Sequence, residues 1–188
     1  YNRTVALNHA NKKTDYLFIF DADDSIHGNF KLPPYSSFDK DMYNLKFGGD
    51  GVSYVRPLLI NNNLQWRFNG VLHEFLTCVS KSVQGSFLDG DYYVESGRKG
   101  SRSKDPEKYR KDAEILKKAY YTDLEKPDKG LSNRYAFYCA QSYKDSGQHE
   151  DSIVWYKKRI EMGGWPEEVF YSHLQIARNY VQMKNIDQ

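Results

Sequence analysis

The chain has 188 residues and a formal net charge of +2, enough length for a substantial core and too little charge to argue for a nucleic-acid binder. Its hydrophobic fraction is a modest 39%, yet it carries 16 Tyr, 10 Phe and 3 Trp, so rings must supply much of the buried area. No apolar run approaches the ~18 residues of a membrane span and no signal-like segment opens the chain. The expectation is a cytoplasmic protein with Cys78 and Cys139 as reduced core thiols.

The first predicted element is a helix carrying Arg3, Val5, Ala6 and Ala10, ending at a turn near Asp15. A chain that opens inside a helix, without methionine, is expected to be part of something longer. A strand follows at 16–20, five apolar residues that run straight into Asp21-Ala22-Asp23-Asp24. Ligands of open α/β sheets gather at such strand ends. Asp21 and Asp23 would share one side of an extended chain, unless a turn re-aims them. Two converging carboxylates repel each other unless a cation lies between them, and a divalent ion bound to a phosphorylated substrate relieves that repulsion.

A loop with Gly28, Pro33 and Pro34 comes next, then strands at 52–60 and 64–68 joined by Asn61-Asn62-Asn63, residues that suit a turn. Both strands are expected to pair with 16–20. Shorter apolar runs lie at 75–79 and 92–94. Within Trp66-Arg67-Phe68-Asn69-Gly70-Val71-Leu72-His73-Glu74, Glu74 is a candidate general base, and Trp66 offers an apolar face for a sugar ring. Thr77 stands where a zinc-protease signature needs a second histidine.

The segment Ser96-Gly97-Arg98-Lys99-Gly100-Ser101-Arg102-Ser103-Lys104 has two glycines to free the backbone and four cations to hold phosphate oxygens. The period then turns helical. Asp105-Pro106 resembles a helix start, and Tyr109, Ala113, Leu116 and Tyr120 form one apolar stripe. Helices are expected near 105–121, 133–145, 150–161 and 167–183. Phe137-x-x-Ala140-x-x-Tyr143 recurs as Leu174-x-x-Ala177-x-x-Tyr180, with glycine breaks at Gly147 and at Gly163-Gly164. That helix–turn–helix pattern, small residue at the contact and ring beside it, resembles a tetratricopeptide repeat.

Acids for a metal, a cationic loop for a diphosphate and an acid beside an aromatic shelf are together the parts of a nucleotide-sugar transferase. The chain resembles family-2 glycosyltransferases of the GT-A fold that bear C-terminal tetratricopeptide-like helices. Three segments carry the likeness: Asp15 through Asp24 after Asn2-Arg3 and Ala6; Trp66-x-x-x-Gly70-x-x-His73-Glu74; and Gly97 through Tyr109 with Arg134-Tyr135-x-Phe137-Tyr138-x-Ala140-Gln141-Ser142-Tyr143. The family's N-terminal nucleotide-binding half is not represented.

The resemblance implies an α/β fold, the C-terminal part of a GT-A, Rossmann-like domain over residues 1–104. A connecting helix would cover 105–130 and tetratricopeptide-like helices 131–188. It implies transfer of a sugar from a nucleotide-diphosphate-sugar, a UDP-sugar by expectation, to a saccharide or protein acceptor, with inversion. Asp21 and Asp23 would hold Mn²⁺ or Mg²⁺, with Glu95 where relatives place a histidine ligand. Arg98, Lys99, Arg102, Trp66 and His73 would contact ligands. Glu74 would be the base and Asp24 its nearest rival. A protein partner could bind the helices. Two other classes fit parts of the sequence. An aspartate-nucleophile phosphohydrolase would use Asp21, Asp23 and Ser25, and a non-catalytic scaffold would bind peptides through its helices.

Overall fold

The computed structural model describes residues 2–48, 53–97, 100 and 104–186. They form two compact units, one drawn from Tyr1–Asn69 and Phe75–Ser103, the other from Gly70–Glu74 and Lys104–Gln188. The chain is mixed α/β, a mixed sheet followed by helices.

The first unit holds helix α1 (Asn2–Ala10) and strands β1 (Tyr16–Phe18), β2 (Ser25–Gly28), β3 (Met42–Phe47), β4 (Tyr54–Asn61), β5 (Trp66–Asn69), β6 (Phe75–Cys78), β7 (Gly85–Phe87) and β8 (Tyr92–Glu95). The main sheet runs β1-β4-β3-β8-β2, with β7 also on β3. The neighbours are antiparallel except that β7 and β8 run parallel to β3. β3 alternates strictly, burying Tyr43, Leu45 and Phe47 in a core with Leu58, Leu59, Tyr92 and Val94. Pro57 lies in β4 beside a bulge at Tyr43/Asn44, which accommodates a residue with no N–H to give to the ladder.

Three sequence expectations are corrected here. Strand 16–20 ends at Phe18, because the chain turns at the acids that follow. The strand expected at 64–68 does not join it. It is β5, paired only with β6 in a separate hairpin. The region 21–51, read as loop, contains β2 and β3. Asn62 does more than turn the chain. Buried at the end of β4, its Nδ2 donates to the carbonyls of Ala10 (2.6 Å) and Thr14 (3.0 Å). This joins the end of α1 to the start of β1.

The second unit holds α2 (Lys108–Leu124), α3 (Ser132–Asp145), α4 (His149–Glu161) and α5 (Pro166–Ile186). All four predicted helices are present, and α2 belongs with the others rather than forming a connector. Its stripe is buried at Ala113, Leu116 and Tyr120, but Tyr109 faces solvent. α2 begins three residues after Asp105, whose carboxylate instead accepts the Glu107 N–H at 2.9 Å, an Asx turn that precedes the helix. The core of rings expected from composition is here: Tyr120, Tyr135, Phe137, Tyr143, Trp155 and Tyr156. Cys139 lies within it, its thiol pushed well up by burial, which rules it out as a ready nucleophile. Both cysteines are free. Among the described residues no helix is long and apolar enough to cross a membrane.

Candidate active site

The acids after β1 are presented by a tight turn. The Ile19 N–H still bonds the Leu58 carbonyl (2.7 Å), continuing the ladder, and then the Asp24 N–H closes on the Asp21 carbonyl at 3.1 Å. β2 starts immediately afterwards, so Ser25 pairs with Glu95 at the end of β8. The turn and the β2–β8 pairing therefore bring Asp24 close to the end of β8, although 71 residues separate Asp24 from Glu95.

Each acid has a distinct setting. Asp21 is held by Arg3, whose Nη2 donates to Oδ1 at 2.6 Å and to Oδ2 at 2.8 Å. Arg3 also lies over the Phe68 ring, 5.3 Å from its centroid. Both side chains are substantially exposed, so the pair contributes little stability, and each Asp21 oxygen keeps a further lone pair. Asp24 Oδ1 accepts the Gly97 N–H at 2.9 Å. Glu95 reaches His27 across the strands, Oε2 to Nε2 2.7 Å, with the His27 ring stacked on Tyr93 at 4.9 Å.

Gly97 is the residue whose role the sequence disguised. A β-carbon there would stand 1.8 Å from the Asp23 carbonyl oxygen and 2.4 Å from its carbon. The glycine is required by close approach, not for flexibility, and it docks the start of the basic segment against the acid turn. Gly97→Ala is expected to force the turn aside and cost the first unit about 1–3 kcal/mol, as overpacking does. Thermal unfolding followed by tryptophan fluorescence measures it, and an unchanged midpoint would show that the turn yields freely. Arg98, Lys99 and Arg102 lie outside the described residues.

The second motif is divided between the units. Trp66 belongs to the first, where it is buried with Leu7 and Ile60. Its indole N–H donates to the Asn61 carbonyl at 2.9 Å. With Thr4, Asn8, Asn11, Gln65 and Arg67 it lines a cavity of about 430 Å³, so the ring forms a cavity wall rather than an open shelf. His73 and Glu74 belong to the second unit. The His73 ring stacks on Tyr138, centroids 3.8 Å apart and planes 7° from parallel. Arg134 Nη2 donates to the His73 carbonyl at 2.7 Å. His73 adopts a left-handed φ of 51° and Gly70 one of 105°, so the tip between β5 and β6 is tightly shaped.

Sequence reasoning missed Arg3 as the partner of Asp21 and His27 as the partner of Glu95. Arg3 had a faint signal, a cation in the helix before the acidic strand. His27 had none, since its strand is stabilised only by pairing with β8. Among the described residues no three His, Cys, Asp or Glu stand together as a metal set. The oxygen-only donors of the turn fit a hard ion that takes one or two carboxylates and completes its shell with substrate phosphates, as Mg²⁺ and Mn²⁺ do.

The chain matches no protein-family model, and no curated protein matches it in sequence.

Proposed function

We propose that the chain is part of a metal-dependent nucleotide-sugar transferase of the GT-A kind, with tetratricopeptide-like helices after the catalytic part. The observation that carries this reading is the docking of Gly97 against Asp23 and Asp24. It sets a carboxylate turn and the root of a cationic segment side by side, the two parts a leaving diphosphate needs.

In the proposed reaction the acceptor hydroxyl oxygen bonds to the sugar's anomeric carbon as that carbon's bond to the diphosphate oxygen breaks. The diphosphate leaves with the electron pair, and Glu74 takes the hydroxyl proton. Asp23 and Asp21 would hold Mn²⁺ or Mg²⁺, which supplies positive charge beside the leaving group. Arg98, Lys99 and Arg102 add theirs. Asp24 holds the turn to Gly97, and Glu95 is paired with His27.

Calorimetric titration of the protein with UDP, with and without Mn²⁺, tests the proposal. Mn²⁺ is expected to tighten UDP binding, and Asp23→Asn to weaken the Mn²⁺-dependent binding by at least ~10-fold with the melting temperature unchanged. Equal UDP affinity with and without Mn²⁺ in the unaltered protein would overturn it.

A further inference from the structure

Helix α5 packs Tyr171 and Ile176 against the core of rings, yet it carries a second, outer apolar face. Toward α4 it buries Ser172, Gln175 and Asn179, each 0–1% exposed. Asn179 Nδ2 donates to Ser152 Oγ at 2.9 Å, and Asn179 Oδ1 lies 2.8 Å from His149 Nδ1. On the opposite side Phe170 is 71% exposed, Val181 56% and Leu174 37%, with Ala177 exposed between them. In the first repeat copy Phe137 and Ala140, the counterparts of Leu174 and Ala177, are buried, because α3 has helices on both sides. The repeat pattern is thus legible in both copies but satisfied in one.

The exposed positions have a regular spacing. Glu167, Phe170, Leu174, Ala177, Val181 and Lys184 follow alternating steps of three and four, the seam of a two-helix coiled coil. The seam is also complementary to itself. In an antiparallel pair with its two-fold axis between residues 175 and 176, Phe170 faces the partner's Val181 and Leu174 faces the partner's Ala177, large against small. Glu167, exposed at one end, faces the partner's Lys184. Because a two-fold contact repeats every pairing, both ends carry an opposite-charge pair and neither carries a like-charge one.

We infer that the outer face of α5 is a self-association surface, and that a second copy of this chain covers it as an antiparallel helix pair. One helix seam covers less than the ~800 Å² per partner of a standard interface, so the dimer is weak, with dissociation in the micromolar-to-millimolar range.

Sedimentation equilibrium between ~10 µM and ~1 mM tests it. The unaltered chain is expected to show a reversible monomer–dimer equilibrium. Phe170→Lys should weaken it at least ~10-fold without lowering the melting temperature, because that side chain is already in solvent. Glu167→Lys and Lys184→Glu should each weaken it alone. Mixed together they should associate more tightly than either does by itself, since every reversed charge then meets its opposite. A monomer at all concentrations would overturn the inference and leave the stripe to a helix from another segment or another protein. A dimer indifferent to Phe170→Lys, or a mixture no tighter than its parts, would place the contact elsewhere and overturn it equally.

Discussion

Glu74→Gln is expected to lower turnover by about 10²–10⁴-fold with nucleotide binding nearly unchanged, the usual range for loss of a general base. A base is effective only where its oxygen is held within reach of the acceptor hydroxyl, and the backbone around Glu74 is held from two sides. The stacked His73–Tyr138 rings fix the preceding residue, and Arg134 ties down the His73 carbonyl. The amide keeps the size of the acid and loses its basicity, so the loss should appear in turnover and not in folding. Wild-type turnover in this variant would remove Glu74 from the chemistry. Asp24 is then a poor substitute, because one of its oxygens already accepts the Gly97 N–H.

Arg159→Met is expected to destabilise the helical unit by about 3–5 kcal/mol, the cost of breaking a buried ion pair from one side. The Arg159 side chain is 1% exposed and its Nε donates to Glu168 Oε2 at 2.9 Å, while Glu168 is only 13% exposed. Arg159 Nη1 also donates to the Gly163 carbonyl. One guanidinium therefore fastens the last turn of α4, the connection through Gly163 and Gly164, and the first turn of α5. Without it a carboxylate and a carbonyl lose their donor together. Adding Glu168→Leu should recover most of the loss, since the stranded charge is then gone. Urea unfolding monitored by far-ultraviolet circular dichroism measures both variants. A loss below about 1 kcal/mol would mean that the pair behaves as a surface one.

The helices were legible because a period of 3.6 over a dozen residues is hard to produce by accident. Their starts were less so, as Asp105 shows: its carboxylate serves a turn before α2, not the helix itself. β3 escapes the sequence reading: Tyr43, Leu45 and Phe47 alternate cleanly, but the prolines and glycines around them point to a loop. β2 escapes it as well. Ser25-Ile26-His27-Gly28 is a strand only because β8 supplies its hydrogen bonds, and no local signal reports a partner 70 residues away. For the same reason nothing local separates the two strands expected beside β1, of which β4 pairs with it and β5 pairs only with β6.

At the candidate site residue type and order alone reveal the chemistry on offer: a run of acids after an apolar strand, a Gly-containing cationic segment, and a His-Glu pair beyond a glycine. Only the tertiary structure decided how each group is engaged. It gave Asp21 to Arg3, Asp24 to Gly97 and Glu95 to His27. It turned Trp66 into a core ring, and it placed Trp66 and Glu74, eight residues apart, in different units. The reason is physical. Availability depends on what approaches through space, and a contact between residues 24 and 97, or 3 and 21, follows from sheet pairing and helix docking. Neither leaves a trace in local spacing.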